Sequence, residues 1–173
     1  GHLQGQLLRM LTGMIRPKVV VEIGTYSGYS ALSMAAGMTA DAVLHTFEIN
    51  DEQEVFTRPW LEGSPYPPRI VLHIGEVEKL LPPMNLSIDL AFIDANKRQY
   101  VDYYNLLMPF IAPGGYILAD NTLWDGHVID PAYDRDAQTR GIRAFNDLVR
   151  DDERVEKVIL PLRDGLSLIR KIG

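Results

Sequence analysis

Short apolar runs that alternate with helical patterns are the feature that most constrains the fold of this chain. The first run, Val19–Ile23, is rich in β-branched residues and suits a strand that is buried on both faces. Further runs at Val43–Phe47, Ile70–Ile74, Ile88–Ile93 and Tyr116–Ala119 predict four more strands. Because strands that alternate with helices are typical of βαβ units, the sequence predicts a mostly parallel sheet.

The segments between these runs carry apolar residues at helical spacing, which predicts helices. Pro113, Gly114 and Gly115 are expected to end the fourth helix before the next strand begins. The predicted helices are Gln4–Ile15, Ser27–Met38, Glu52–Leu61, Gln99–Phe110 and Gly141–Arg150.

The C-terminal residues predict a different arrangement. Val155–Leu162 and Leu166–Lys171 flank Arg163-Asp164-Gly165, and Asp-Gly between two alternating apolar runs is a strong hairpin signal. The expected fold class is therefore α/β, with a seven-stranded, mostly parallel sheet that ends in an antiparallel hairpin. No linker divides the chain, so residues 1–173 are expected to form a single domain.

Composition excludes several classes of function. The chain has no cysteine, so it offers neither a disulfide framework nor a thiolate nucleophile or metal ligand. No apolar run approaches the ~18 residues of a membrane span and no signal peptide opens the chain, which predicts a cytoplasmic protein. A net charge of -6 and a pI near 5.2 weigh against a broad nucleic-acid surface, although a local basic patch is compatible with both values.

A glycine turn after the first predicted strand indicates a ligand site. Gly24 and Gly28 let the backbone approach a ligand closely, and Glu48 ends the next strand, where an acidic side chain meets ribose hydroxyls in dinucleotide folds. With only these two glycines, four residues apart, a nucleoside fits better than a pyrophosphate. The alternative is that they are turn glycines beside a solvated glutamate.

Two carboxylates and an amide follow two other predicted strands. Asp94, Asp120 and Asn121 lie at the carboxyl ends of the sheet, where open α/β folds bind ligands. Their oxygens are hard donors suited to Mg²⁺, and adjacent like charges repel unless a cation lies between them. Either aspartate alone would be a cap or turn former. For the pair, the pattern favours a metal site.

Two further side chains lie near this predicted metal site. Lys97 follows Asp94 by three residues, and a loop lysine is ordinarily a solvated charge. A neighbouring dication disfavours its protonated form and would bring it toward a general-base role. Trp124 either anchors its loop in the core or forms the wall of an aromatic pocket. The four histidines are scattered without metal-ligand spacing, and no serine-hydrolase or P-loop motif occurs.

Four motifs together resemble a known family. They are EIGTYSGYS at residues 22–30, IDANK at 93–97, DNTLW at 120–124 and LPLRDG at 160–165. In this order they resemble the cation-dependent O-methyltransferases of the caffeoyl-CoA and catechol type, which use S-adenosylmethionine (SAM). The resemblance runs from about Gly5 to Arg170, and DNTLW is its most specific part. It implies a class I, Rossmann-like methyltransferase fold, a three-layer sandwich.

The resemblance also implies roles for individual residues. Gly24, Thr25 and Ser30 would hold the methionine part of SAM, with Tyr26 near the sulfonium. The ribose would bind Glu48 and the adenine Val77. The full set implied for SAM is Glu22, Gly24, Thr25, Tyr26, Ser30, Glu48, Gly75, Val77 and Asp94. The ligands of Mg²⁺ or a similar cation would be Asp94, Asp120 and Asn121. Lys97 would be the base, and Trp124 would contact the acceptor.

The chain departs from the family pattern at three places. Asn96 stands where the family commonly has a second aspartate, and Val77 stands where it has a small residue. Family members also carry further helices before the position of Gly1, which we expect this chain to lack. Those helices help to close the acceptor pocket, so the identity of the acceptor stays open.

The expected reaction is methyl transfer from SAM to a hydroxyl of a small, catechol-like aromatic acceptor, because a vicinal diol can chelate the cation. Two alternatives stay open. One is a tRNA hydroxyuridine O-methyltransferase of the same family, against which the net acidity counts weakly. The other is a non-catalytic nucleoside-binding module, which would have no use for Lys97 or the metal ligands. The resemblance further implies a homodimer.

Overall fold

Seven strands form one sheet, in the order β3-β2-β1-β4-β5-β7-β6. The computed structural model describes residues 1–173 and confirms the expected α/β class, with a mostly parallel sheet and a C-terminal antiparallel hairpin. The strands are β1 (Val19–Ile23), β2 (Val43–Glu48), β3 (Arg69–Ile74), β4 (Ile88–Ile93), β5 (Ile111–Asp120), β6 (Val155–Leu160) and β7 (Leu166–Lys171).

Six α-helices and four short 3₁₀ turns connect these strands. The helices are α1 (His2–Ile15), α2 (Tyr29–Ala35), α3 (Glu52–Glu62), α4 (Val77–Leu80), α5 (Tyr100–Leu107) and α6 (Ala137–Asp151). The 3₁₀ turns are Pro82–Met84, Lys97–Gln99, Trp124–Ile129 and Pro131–Tyr133.

The chain divides into two compact units, Gly1–Asp89 and Leu90–Gly173. In the first unit, β1 pairs in parallel with β2, and β2 in parallel with β3. Helix α1 lies directly against the end of α2. A Cβ on Gly37 would lie 2.1 Å from the carbonyl oxygen of Arg9, and the Thr12 hydroxyl donates to the Met34 carbonyl at 3.0 Å. That close approach requires a glycine at position 37.

In the second unit, β7 lies between β5 and β6 and is antiparallel to both. Helices α5 and α6 pack through aromatic rings, with Tyr104 and Phe145 edge to face at 6.0 Å. The Tyr104 hydroxyl donates to Asp152 at 2.9 Å. Burial and this carboxylate raise the pKa of Tyr104, so the hydroxyl keeps the proton that it donates.

Some predicted boundaries were wrong, and the largest error concerns β5. Pro113, Gly114 and Gly115 do not end a helix, because they lie inside the strand Ile111–Asp120. Gly114 takes a φ of 77°, which permits a bend within the strand where an L side chain would be strained. The preceding helix already ends at Leu107.

The other boundary errors have local causes. The helix predicted over Ser27–Met38 spans only Tyr29–Ala35, and it starts late because Gly28 takes a left-handed φ of 77°. The helix predicted from Gly141 begins at Ala137, because the Asp136 carboxylate caps it through the backbone N–H of Thr139 at 2.7 Å. The other shifted elements are α1, β2, α3, β3, α5 and β6, by one to three residues at an end.

No helix of this chain is both long enough and apolar enough to cross a lipid bilayer.

Two histidines face each other across β2 and β3. His45 Nδ1 lies 3.0 Å from His73 Nε2, and the His73 ring stacks on Phe47 at 4.6 Å. Burial lowers the pKa of His45 to about 4, and the charges of His73 and Arg69 add to this effect. Burial also lowers the pKa of His73. Both imidazoles are therefore neutral in the folded chain at pH 7.

This pair predicts a loss of stability in mild acid. Between pH 6.5 and pH 4 the unfolded chain binds more protons at these histidines than the folded chain, so the free energy of unfolding falls as pH falls. In urea titrations at pH 7 and pH 4.5, His45→Gln should lose less stability than the wild type. His2→Gln, at the exposed start of α1, should keep the wild-type dependence. Equal losses in the wild type and His45→Gln would contradict this assignment.

Candidate active site

The loop between β1 and α2 contains three residues with positive φ. Gly24, Tyr26 and Gly28 have φ values of 100°, 46° and 77°. The Gly24 N–H donates to the Phe47 carbonyl at 3.0 Å, and the Gly28 N–H donates to the Thr25 carbonyl at 2.8 Å. Backbone hydrogen bonds, one of them to β2, thus hold the loop, and the Tyr26 side chain is left 71% exposed.

Glu48 connects this loop to the end of β2. Its Oε2 accepts from the Tyr26 N–H at 2.8 Å, and its Oε1 accepts from the Asn50 N–H at 3.0 Å. The carboxylate is half-buried and held by charge-assisted bonds to two backbone amides. Each oxygen keeps a further lone pair. The two amides thus fix the orientation of the Glu48 carboxylate at the end of β2.

Glu22, which was predicted to contact SAM, is fully buried in the sheet. Its Oε2 accepts from the Thr46 hydroxyl at 2.5 Å, and that hydroxyl lies 2.5 Å from the Thr25 hydroxyl. This chain of polar groups connects a buried carboxyl group to the loop residue Thr25. In this structure Glu22 supports the loop.

The remaining residues predicted for SAM in the first unit lie at the ends of elements. Ser30 is half-buried in the first turn of α2. Gly75 takes a φ of 134°, and its N–H donates to the Glu48 carbonyl at 2.8 Å. Val77 is buried at the start of α4. The first unit therefore brings Gly75 next to Glu48, and it places little of Val77 on the surface.

In the second unit, Lys97 is held against Asp94. Asp94 follows β4, and its Oδ1 accepts from Lys97 Nζ at 2.8 Å. The Lys97 side chain is 9% exposed and that of Asp94 is 38% exposed. An almost buried ammonium needs a partner of opposite charge, and Asp94 provides it. Lys97 is therefore held in a defined position and is not the solvated loop charge that is ordinarily expected.

Tyr100 connects Lys97 to the end of β5. Its hydroxyl accepts from Lys97 Nζ at 2.8 Å and donates to the backbone carbonyl of Asp120 at 2.9 Å. Burial, followed by the charges of Asp94 and Asp120, raises the pKa of Tyr100 well above 10. The hydroxyl therefore stays protonated. Sequence reasoning missed Tyr100, although its i+3 spacing from Lys97 could have indicated that the two side chains meet.

The predicted metal ligands lie at the strand ends as expected. Asp120 ends β5 and is buried, and its Oδ1 accepts from the Asn121 N–H at 2.9 Å. Asn121 takes a left-handed φ of 61°, a conformation that asparagine tolerates better than most residues. No group of three or more His, Asp or Glu side chains that could hold a metal occurs in the chain. The predicted set has two carboxylates and one amide, and a bound cation is not shown.

The loop that carries Trp124 is supported by the β6–β7 turn. The Leu123 N–H donates to the Asp164 carbonyl at 2.9 Å, and the Thr122 N–H donates to the Gly165 carbonyl at 3.1 Å. A Cβ on Gly165 would lie 2.7 Å from the Leu123 nitrogen, so this position requires glycine. Trp124 itself is half-buried, with a φ of 48°. The RDG turn at residues 163–165 therefore packs directly against the DNTLW motif and supports it.

Helix α6 approaches the Lys97 turn backbone to backbone. A Cβ on Gly141 would lie 2.4 Å from the Lys97 carbonyl oxygen and 2.8 Å from the Arg98 Cα. One turn further along, the Asn146 side-chain amide donates to the Thr122 carbonyl at 2.8 Å. One helix thus contacts both the lysine turn and the DNTLW loop. Sequence reasoning treated α6 only as a core helix.

Known proteins match this chain over nearly its whole length. A family model described as O-methyltransferase matches residues 1–172. Caffeoyl-CoA O-methyltransferase 2 of Zea mays is 34% identical over 182 residues, which cover 98% of this chain and 68% of that protein.

Solved structures agree with the sequence match. The O-methyltransferase TomG from Streptomyces achromogenes, in complex with SAM, superposes with a TM-score of 0.92 at 26% identity, covering 100% of this chain and 81% of that chain. An O-methyltransferase from Bacillus cereus, in complex with SAH, gives a TM-score of 0.91 at 26% identity, covering 99% and 81%.

The contact at Gly141 predicts the effect of one methyl group. Gly141→Ala should lower the free energy of unfolding by about 1–3 kcal/mol, because the new Cβ meets backbone atoms that cannot rotate away. Gly13→Ala is the matched control in α1, where the Cβ would have one ordinary contact at 3.7 Å. That change should raise stability by about 0.5–1 kcal/mol. Urea unfolding measures both, and stabilisation by Gly141→Ala would contradict the contact.

Proposed function

This chain belongs to the O-methyltransferase family and is a SAM-dependent O-methyltransferase, and we propose that its acceptor is a small, catechol-like aromatic hydroxyl compound methylated with the assistance of a divalent cation. The observation that carries the proposal is the contact between Lys97 Nζ and Asp94 at 2.8 Å, beside the buried Asp120. A general base held against a cation ligand is what metal-assisted deprotonation requires.

SAM binding is assigned to residues of the first unit. Glu48 binds the ribose hydroxyls, because its carboxylate is already oriented by two backbone amides. Gly24, Thr25 and Ser30 hold the methionine part of SAM, and Tyr26 lies near the sulfonium. Glu22 supports this loop through Thr46.

The cation is assigned to Asp94, Asp120 and Asn121. Carboxylate and amide oxygens are the ligands that Mg²⁺ prefers, and two carboxylates near a buried Tyr100 create a negative potential there. The donor set therefore fits a hard divalent cation. When bound, the cation would favour the ionised form of an acceptor hydroxyl.

Lys97 takes the proton of the acceptor hydroxyl. Its Nζ must first lose the proton that it donates to Asp94, and a cation held by Asp94 would favour that loss. The acceptor O–H bond then breaks as an N–H bond forms on Nζ, and the proton passes to solvent. The acceptor oxygen forms a bond to the methyl carbon while the carbon–sulfur bond of SAM breaks, which leaves SAH.

Positioning of the reactants and proton transfer are both expected to contribute to the rate enhancement. Orientation of the two reactants contributes up to about 7–11 kcal/mol, because a bimolecular step becomes effectively unimolecular. The base contributes roughly 10²–10⁴-fold in rate. Tyr100 supports the second effect, because its hydroxyl fixes Nζ from the buried side.

The aromatic acceptor is supported by two observations. The relative from Zea mays is named for caffeoyl-CoA, and the half-buried Trp124 offers an aromatic wall in the DNTLW loop. The alternatives are a hydroxyuridine of tRNA as acceptor and a non-catalytic nucleoside-binding module. An almost buried lysine held by a carboxylate and a tyrosine favours a catalytic role over the second alternative.

We further propose that the chain forms a cytoplasmic homodimer. Helix α1 supports the dimer, because it exposes Leu3, Met10 and Met14, with exposed fractions of 61%, 63% and 75%. These residues are spaced so that they lie along one side of the helix. Single exposed apolar residues are ordinary, but a row of them along a helix is typical of an interface.

The central test substitutes Lys97 in a methyl-transfer assay with a catechol, SAM and Mg²⁺. Lys97→Met should lower kcat by roughly 10²–10⁴-fold and leave the Kd for SAM unchanged, because only the proton transfer is lost. Lys97→Arg should not restore activity, since a guanidinium is not a base near neutral pH. Lys157→Met, which removes an exposed lysine of β6, should behave as the wild type.

The same assay separates the alternatives. Wild-type turnover of a catechol but not of hydroxyuridine-containing tRNA supports the proposed acceptor, and the reverse result supports tRNA. Wild-type rates in Lys97→Met would remove Lys97 from catalysis. No turnover with either acceptor, together with tight SAM binding, would contradict both acceptors.

A further inference from the structure

The segment from Trp124 to Asp134, here named the Trp124 loop, makes most of its backbone hydrogen bonds within itself. Within it, backbone N–H groups donate to carbonyls three residues earlier, as in Asp130 to His127 and Tyr133 to Asp130. Its residues from Asp125 onward are exposed or half-exposed, and the Ile129 side chain is 86% exposed. Such local bonds form 3₁₀ turns but do not fix where the loop lies.

Arg143 of α6 supplies four long-range bonds to this loop, in addition to the one from the Asp125 N–H to the Asp164 carboxylate. Its Nε donates to the Val128 carbonyl at 2.9 Å, and one terminal nitrogen donates to the carbonyls of His127 and Asp130 at 2.9 and 2.8 Å. The other terminal nitrogen pairs with the Asp134 carboxylate at 2.6 Å. One planar guanidinium therefore binds the loop at four residues that are 9 to 16 positions away in sequence.

The loop held by Arg143 also presents aromatic surface. The rings of His127 and Tyr133 stack with centroids 3.5 Å apart and planes 10° apart, and Trp124 begins the loop. The carbonyl of His127 is one of the four groups that Arg143 binds. The guanidinium therefore holds one member of the stacked pair directly.

We propose that Arg143 is a positioning residue for the methyl acceptor, because it fixes the Trp124 loop in the conformation that receives an aromatic ring. The inference rests on the proposed function for the identity of the acceptor. A loop that is ordered before the acceptor arrives spares the acceptor the entropy of ordering it. Loss of Arg143 should therefore raise the KM for the acceptor more than it lowers kcat.

The fork geometry of arginine is essential to this role. Five N–H donors in one plane can reach three carbonyls and a carboxylate together, whereas the single ammonium of a lysine cannot. Arg143→Lys keeps the charge near Asp134 but loses most of the carbonyl bonds. Arg143→Met keeps the apolar stem and loses every bond. Arg150→Met is the matched control, since Arg150 lies two turns along the same helix and bonds only to the exposed Asp147 and Asp151.

The first measurement is hydrogen–deuterium exchange of the wild type and the three variants, which needs no acceptor and no activity. Arg143→Met should speed exchange in the Trp124 loop by tenfold or more, and Arg143→Lys should lie between it and the wild type. Arg150→Met should not change the loop. If Arg143→Met fails to fold, Arg143→Lys alone decides. Unchanged exchange in the folded Arg143 variants would overturn the proposal.

The second measurement is steady-state kinetics with a catechol, together with calorimetry of SAM. The KM for the catechol should rise about tenfold in Arg143→Met, with kcat reduced less and the Kd for SAM unchanged. An unchanged KM in a variant whose loop exchanges faster would overturn the positioning role. A wild-type protein that methylates no catechol contradicts the proposed function instead, and the exchange measurement then decides the role of Arg143.

Discussion

A single buried hydroxyl organises the second unit of this chain. Tyr100 has no exposed surface, so its hydroxyl must satisfy its hydrogen bonds inside the protein. It does so between Lys97 Nζ and the Asp120 carbonyl, two groups that belong to different strand ends. The cost of leaving any of these buried polar groups without a partner fixes all of them together. Lys97 is thereby directed toward Asp94, the position from which the proposed general base would act.

Helix α6 is the rigid support for this arrangement. Gly141 lets its backbone touch the Lys97 turn, Arg143 holds the Trp124 loop, and Asn146 binds the Thr122 carbonyl. These positions lie within one and a half turns of one helix, so base, acceptor loop and DNTLW motif are all fixed by the same element. A functional site that is supported by a helix is held more precisely than one built from loops alone.

The sequence predicted those parts of the site that a regular pattern can indicate. Asp94 and Asp120 could be placed because an acidic residue directly after an apolar run must lie at a strand end. Glu48 could be placed in the same way. The Tyr100–Asp120 and Arg143–His127 contacts could not, because these partners are 20 and 16 residues apart in sequence and only the packed chain brings them together. Of the contacts of Tyr100, only the one with Lys97, three residues away, was within reach of sequence reasoning. The extent of β5 was mispredicted because Pro113 and Gly114, which ordinarily end a helix, lie inside a strand that bends at Gly114.

Metal-assisted methyl transfer requires that Asp94, Asp120 and Asn121 bind a divalent cation. Electron paramagnetic resonance of added Mn²⁺, a common substitute for Mg²⁺ at oxygen ligands, measures this directly and requires neither SAM nor an acceptor. One bound Mn²⁺ per chain is expected, lost in Asp120→Asn and retained in Asp147→Asn, whose carboxylate lies on the exposed side of α6. A wild-type chain that binds no stoichiometric Mn²⁺, or binding that survives Asp120→Asn unchanged, would contradict metal-assisted transfer at this site.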